Sequence, residues 1–137
     1  MKDKNGFSII ELITVIGIIS ILTTIGSKTY YKWKLRAVQT QALTNLSSIY
    51  TLQQIYFSQN EVYLNSYSGI IANGFEPNAS DKYAYTIQSR DGSTSTFLAT
   101  STSKKRLASC SSNPNDIWTL DEVKKFTNTM NGSLGCQ

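Results

Sequence analysis

Histidine is absent from the 137 residues, and proline and cysteine occur only twice each. The missing histidine removes the Ser-His-Asp and Cys-His arrangements of nucleophilic catalysis, together with most zinc sites. Charge is also scarce, at 16% of residues, against about a quarter in ordinary globular chains. Thirteen Lys and Arg stand against nine Asp and Glu, a formal net charge of +4. That is too mild for a nucleic-acid footprint unless the cations gather on one face. Ser, Thr, Asn and Gln fill the gap, as on many exposed β-rich surfaces. Both cysteines, Cys110 and Cys136, lie in the last third of the chain, and neither belongs to a C-x-x-C. Without histidine beside them they do not suggest a metal. A disulfide closing the C-terminal segment is the simplest reading in an oxidising compartment, and two unpaired buried thiols are the alternative.

What the chain does have is one long apolar run. Residues 7–27, FSIIELITVIGIISILTTIGS, count 21, and a helix of that length spans about 30 Å, enough to cross a bilayer core. Six residues precede it, MKDKNG. A secretory signal peptide would have a longer basic region, a shorter apolar stretch and a small-x-small cleavage site after it. Here the small residue, Gly6, stands before the run, so the segment is expected to be retained.

Glu11 interrupts the apolar face. A lone carboxylate in a membrane helix costs about 2.5–3.5 kcal/mol at mid-bilayer, so such groups are usually paired and functional. One reading is a Glu in the first helical turn, favourable to the helix dipole and close to the headgroups. The other requires a cation at the same depth, and no Lys or Arg lies between Phe7 and Ser27. A new α-amino group on Phe7, made by cutting after Gly6, would supply one.

Lys4-Asn5-Gly6, Phe7 and Ser8-Ile9-Ile10-Glu11-Leu12 resemble the prepilin cleavage motif of type IV pilins and type II secretion pseudopilins. The shared features are a short basic leader ending in Gly, Phe after the cut, Glu four residues later and an unbroken apolar run. The resemblance implies that an inner-membrane prepilin peptidase cuts after Gly6 and methylates the Phe7 amine. It implies that subunits then leave the bilayer, through the inner-membrane pilus assembly platform, to form a homopolymer. Phe7 and Glu11 would be its assembly residues, with Glu11 paired to a neighbour's Phe7 amine. The family usually carries a proline about where Lys28 stands, and this chain has none in its helix. The flanking charges also run against the motif. Lys28, Lys32, Lys34 and Arg36 follow the run, and the positive-inside rule by itself would leave the C-terminal part in the cytoplasm. Cleavage motif, Glu11 and cysteine pair agree instead on export.

Beyond the run, Leu35, Val38, Ala42, Leu46, Ile49, Gln53 and Tyr56 recur at three- and four-residue steps, and Leu43, Tyr50 and Phe57 widen the stripe. The spacing predicts one helix from Phe7 to about Ser58, hydrophobic all round in its first half and amphipathic in its second. Tyr30, Tyr31 and Trp33 fit an aromatic interface belt or packing between subunits. Residues 60–80 read as a long loop. Tyr83, Tyr85 and Ile87 alternate as a strand, Asp91-Gly92 forms a tight turn, and Thr94 to Ser101 pairs back. A second hairpin is expected from Asp116–Leu120, through Asp121-Glu122, to Lys124–Thr127. The expected fold class is α+β, a long N-terminal helix packed on a four-stranded antiparallel sheet, as in the pilins. Pilins commonly have a disulfide-bounded C-terminal segment, and Cys110 and Cys136 match that arrangement. The bridge would close about 27 residues and stabilise by about 3.5 kcal/mol in the chain-entropy model.

Lys104-Lys105-Arg106 reads as a solvated loop, with a phosphate or DNA contact as the second reading. Asp116, Asp121 and Glu122 do not follow a calcium-loop spacing and read as turn and strand-edge charges. Asn78-Ala79-Ser80 fits the glycosylation sequon. The expected organisation is a leader at 1–6, a membrane and filament-core helix at 7–27, and a globular head at 28–137. No cofactor or metal is expected, and the absence of any nucleophile motif or useful carboxylate pair argues against an enzyme. The expected role is a filament subunit for surface motility, adhesion or DNA uptake. It would sit in the inner membrane as precursor and then on the cell surface. A minor pilin or a type II secretion pseudopilin is the alternative.

Overall fold

A computed structural model describes residues 7–77, 81–109 and 111–133, leaving aside the side chains of residues 25–28. Six elements follow one another: α1 (Ile9–Asn60), α2 (Tyr67–Ala72), β1 (Tyr83–Gln88), β2 (Leu98–Ser103), β3 (Ile117–Asp121) and β4 (Phe126–Met130). The chain divides into two compact units, Met1–Lys34 and Leu35–Gln137.

The long helix expected from periodicity is present as the 52-residue α1. With no proline to remove an i→i−4 bond, it runs unbroken until Glu61 takes a left-handed conformation, φ 58°. There the Glu61 N–H still reaches the Phe57 carbonyl at 2.8 Å. This is a helix-ending turn usually given to glycine.

In the second unit, the α1 residues Ala42, Leu46 and Ile49 are fully buried, and they pack with Tyr83, Tyr85 and Ile87 of β1, Ala99 of β2 and Leu120 of β3. The sheet is an antiparallel meander in the order β1-β2-β3-β4, so each strand pairs with its neighbour in sequence and no crossover is needed. β1 alternates buried and exposed residues from Tyr83 on, the period-2 pattern of a strand with one face on a core. Ile87 faces Ala99, Leu98 faces Asp121 and Leu120 faces Phe126. A register irregularity falls between Ile117 and Trp118. The α+β layout expected above is thus the one observed.

Two expectations need correction. The region from 60 to 80 is not all loop, because Tyr67–Ala72 forms α2, capped by the Ser66 hydroxyl accepting from the Gly69 N–H at 3.1 Å. Gln53, buried on α1, holds the approach to that helix. Its amide nitrogen donates to the Leu64 carbonyl at 2.7 Å, and its amide oxygen accepts from the Leu64 N–H at 2.9 Å. The connection from β1 to β2 is also longer than a two-residue turn, since β2 begins at Leu98 rather than near Thr94. Asp91 accounts for the difference. Its carboxylate accepts from the Thr96 hydroxyl at 2.6 Å and from the Ser93 N–H at 2.9 Å, drawing residues 91–96 into a closed loop. Those bonds, Thr96 first and Ser93 next, hold the Asp91 carboxyl well below the usual carboxylate range.

Candidate functional site

In the first unit the helix starts one residue after Ser8, and that start is built by the side chain the sequence singled out. Glu11 Oε2 accepts the backbone N–H of Ser8 at 2.9 Å, and the Leu12 N–H donates to the Ser8 carbonyl at 3.2 Å. With Ser8 as N-cap and Glu11 three residues on, this is the glutamate half of a capping box. The S-x-x-E spacing ahead of an apolar run announces it in the sequence, although Glu11 was read there only for its charge.

The rest of the unit buries almost nothing within its own chain. Large apolar side chains from Phe7 to Leu22 are 46–82% exposed, and α1 is long and apolar enough to cross a membrane. The few hydroxyls in this stretch are satisfied locally. Thr14 donates to the Ile10 carbonyl at 2.7 Å, Ser20 to Ile16 at 2.7 Å and Thr23 to Ile19 at 2.9 Å. Hydroxyls closed onto the preceding turn leave a surface that demands little of water, suited to lipid or to another apolar helix. Gly6, Cys110 and Cys136 lie outside the described residues, so cleavage site and cysteine pairing rest on the sequence alone. Asn78 to Ser80 lie outside them as well.

The second unit contains two polar centres that sequence reading missed. Asp116, expected as a turn or strand-edge charge, is fully buried. Its Oδ1 accepts from Gly132 N at 2.7 Å, Gln39 Nε2 at 3.1 Å and Asn128 Nδ2 at 3.3 Å, and its Oδ2 accepts from Trp118 Nε1 at 2.8 Å and from the Tyr83 hydroxyl. Five donors on two oxygens explain how a carboxylate survives burial. Its backbone is equally engaged, the N–H with Ser103 Oγ at 2.9 Å and the carbonyl with Ser103 N at 2.9 Å.

Asp81 is the second centre. It accepts from Asn45 Nδ2 and the Tyr85 hydroxyl, both at 2.6 Å, and from Tyr83 N at 3.1 Å. Burial, then the hydrogen bond to a carboxylate, raises both tyrosines above their ordinary range, Tyr83 at Asp116 and Tyr85 at Asp81. These centres join α1, the sheet and the segment around Gly132.

Asp121 and Glu122 are half-buried beside the exposed Arg90. Arg90 pairs with Asp121 at 3.9 Å and with Glu122, and Asp121 also accepts the Lys125 N–H at 2.8 Å to close the β3–β4 turn. Lys104, Lys105 and Arg106 are exposed, with the Lys104 ammonium donating to the Asp81 carbonyl at 3.1 Å.

Comparison with known proteins bears on the first unit and extends beyond it. The prokaryotic N-terminal methylation motif matches residues 1–27. Over 89 residues the chain is 36% identical to the type IV major pilin protein PilA of Myxococcus xanthus (strain DK1622), a match covering 65% of this chain. The chain is type IV pilin-like. It spans 39% of the length of that relative. In this pilin-like chain the methylation motif takes in Phe7, Ser8 and Glu11 together with the exposed apolar half of α1.

Proposed function

We propose that this chain is a structural subunit of a type IV pilus. It is held in the inner membrane by residues 7–27, cut after Gly6 by a prepilin peptidase, methylated on Phe7, and polymerised into an extracellular filament. The observation that carries this reading is the stretch from Phe7 to Leu22. It is an apolar helical surface left exposed among the described residues, headed by a single carboxylate and lying inside a methylation motif. A surface of that size needs a bilayer or neighbouring helices to cover it. The bilayer serves the precursor and the neighbours serve the filament.

Residues 28–137 form the head, closed at its C-terminal end by a Cys110–Cys136 bridge. Within the head, the buried carboxylates Asp81 and Asp116 spend their oxygens on internal donors. This supports a structural role, with surface motility, adhesion or DNA uptake as the uses such a filament serves. Mass spectrometry of filaments sheared from cells is the test. The expected species begins at N-methylated Phe7. A full-length chain starting at Met1, found only in membranes, would overturn the reading.

A further inference from the structure

Directly beyond the apolar half, Tyr30, Tyr31, Lys32, Trp33 and Lys34 follow one another on α1, all five exposed. Tyr30 is 72%, Tyr31 40% and Trp33 64% accessible. Successive helical residues are rotated by about 100°, so five in a row encircle the helix rather than line one side. The result is a collar of two cations and three large aromatic rings, which suits no single apolar groove. Glu11 is the one acidic residue in α1, about 30 Å from Lys32 along the axis. No carboxylate therefore stands three or four residues from either lysine to pair with it along the helix. Along α1 itself the charge is left unanswered.

On the reading that residues 7–27 span a membrane, we propose that this collar docks on anionic phospholipid headgroups of the leaflet from which the helix emerges. The position is right, because a span of 21 residues from Phe7 to Ser27 places the collar at the far headgroup layer. Its chemistry is right as well. Tyr and Trp rings settle at the level of the headgroups, and lysine stems lie along apolar surface while their ammonium groups meet phosphate. The collar also gives the cations beyond the apolar run a purpose on the side where the positive-inside rule does not expect them. They hold this end of the span at the leaflet until the subunit is withdrawn.

The test uses the full chain in vesicles containing spin-labelled phosphatidylglycerol or spin-labelled phosphatidylcholine, comparing how much of each is immobilised at the protein. A basic residue near an anionic surface is expected to favour phosphatidylglycerol by up to about five-fold. K32Q/K34Q should remove most of the preference, and so should high salt, which shortens the reach of charge to about 3 Å at 1 M. Unchanged selectivity in K32Q/K34Q would assign the preference to other cations, the leader lysines or Lys28 and Arg36, and overturn the proposal. Unchanged selectivity together with loss of filaments would assign the collar to a neighbouring subunit's carboxylate, which also overturns it. If neither lipid is immobilised, the membrane-spanning reading itself fails; if both are immobilised equally, only the collar proposal does.

Discussion

The backbone N–H of Gly132 donates to Oδ1 of Asp116 at 2.7 Å, in a space where no larger residue fits. A Cβ on Gly132 would lie 2.6 Å from the Asp116 Cβ, and 3.2 Å from both its Cα and the Leu107 Cδ1. The first contact is against a stiff part of the side chain, so the neighbour cannot swing away. Gly132→Ala is expected to cost about 1–3 kcal/mol through overpacking and the displaced hydrogen bond. Urea unfolding of the detergent-solubilised chain measures it. An unchanged midpoint would mean that the segment moves aside freely.

Removing the carboxylate itself should cost more. Asp116→Ala strands the Tyr83 hydroxyl, the Trp118 indole N–H and the Gly132 N–H in a buried site, at about 1–3 kcal/mol for each donor left without a partner. A loss of at least about 3 kcal/mol is expected. Asp116→Asn keeps the shape and some acceptor capacity, and should fall between wild type and Ala. If Asn and Ala are equally mild, the centre is not holding the head together.

The tyrosines make stability depend on pH at the alkaline end. Tyr83 and Tyr85 have folded-state values raised above the ordinary 10.0, first by burial and then by bonding to a carboxylate. Below pH 10 both states keep the proton and the stabilising effect is fully present. As pH rises past about 10 the unfolded chain releases protons that the folded chain retains, so stability falls progressively. Unfolding measured between pH 8 and 11 should show a decline that Tyr83→Phe with Tyr85→Phe flattens. A decline of the same steepness in that double variant would place its origin elsewhere.

The proposed bridge makes a direct chemical prediction. Alkylation of exported material without reductant should label neither Cys110 nor Cys136, and prior reduction should expose both. Quantitative labelling of unreduced protein would argue for retention in a reducing compartment, the topology that the charge distribution beside the apolar run favours on its own.

Elements with a repeating pattern were readable from the sequence. α1 followed from the steps Leu35, Ala42, Leu46, Ile49, and β1 from Tyr83, Tyr85, Ile87, because burial on one face imposes the period of the backbone. The six-residue α2 is too short for a period to show, and its signal is a single capping serine among loop-forming neighbours. β2 was displaced because the Asp91 side chain, rather than the Asp91-Gly92 backbone, organises the turn. Asp116 could not be recognised, since its donors come from positions 39, 83, 118, 128 and 132 and meet only in the folded head. The charge of Glu11 stood out against the apolar run, while its bond to the Ser8 N–H depends on where the helix begins.

That bond decides how the assembly mechanism is best tested. The proposed filament pairs Glu11 with a neighbour's Phe7 amine, and an unpaired charge among packed helices costs several kcal/mol. The helix start asks something simpler of Glu11, an acceptor for the Ser8 N–H at 2.9 Å. Glutamine satisfies the second role and not the first, because it accepts the capping bond without bringing a charge. The measurement is filament yield against membrane-pool subunit for Glu11→Gln and Glu11→Ala, each expressed without wild-type subunits. The account predicts that both variants accumulate in the membrane and neither forms filaments. Normal filament yield from Glu11→Gln, with failure confined to Glu11→Ala, would contradict it and leave Glu11 as a helix cap alone.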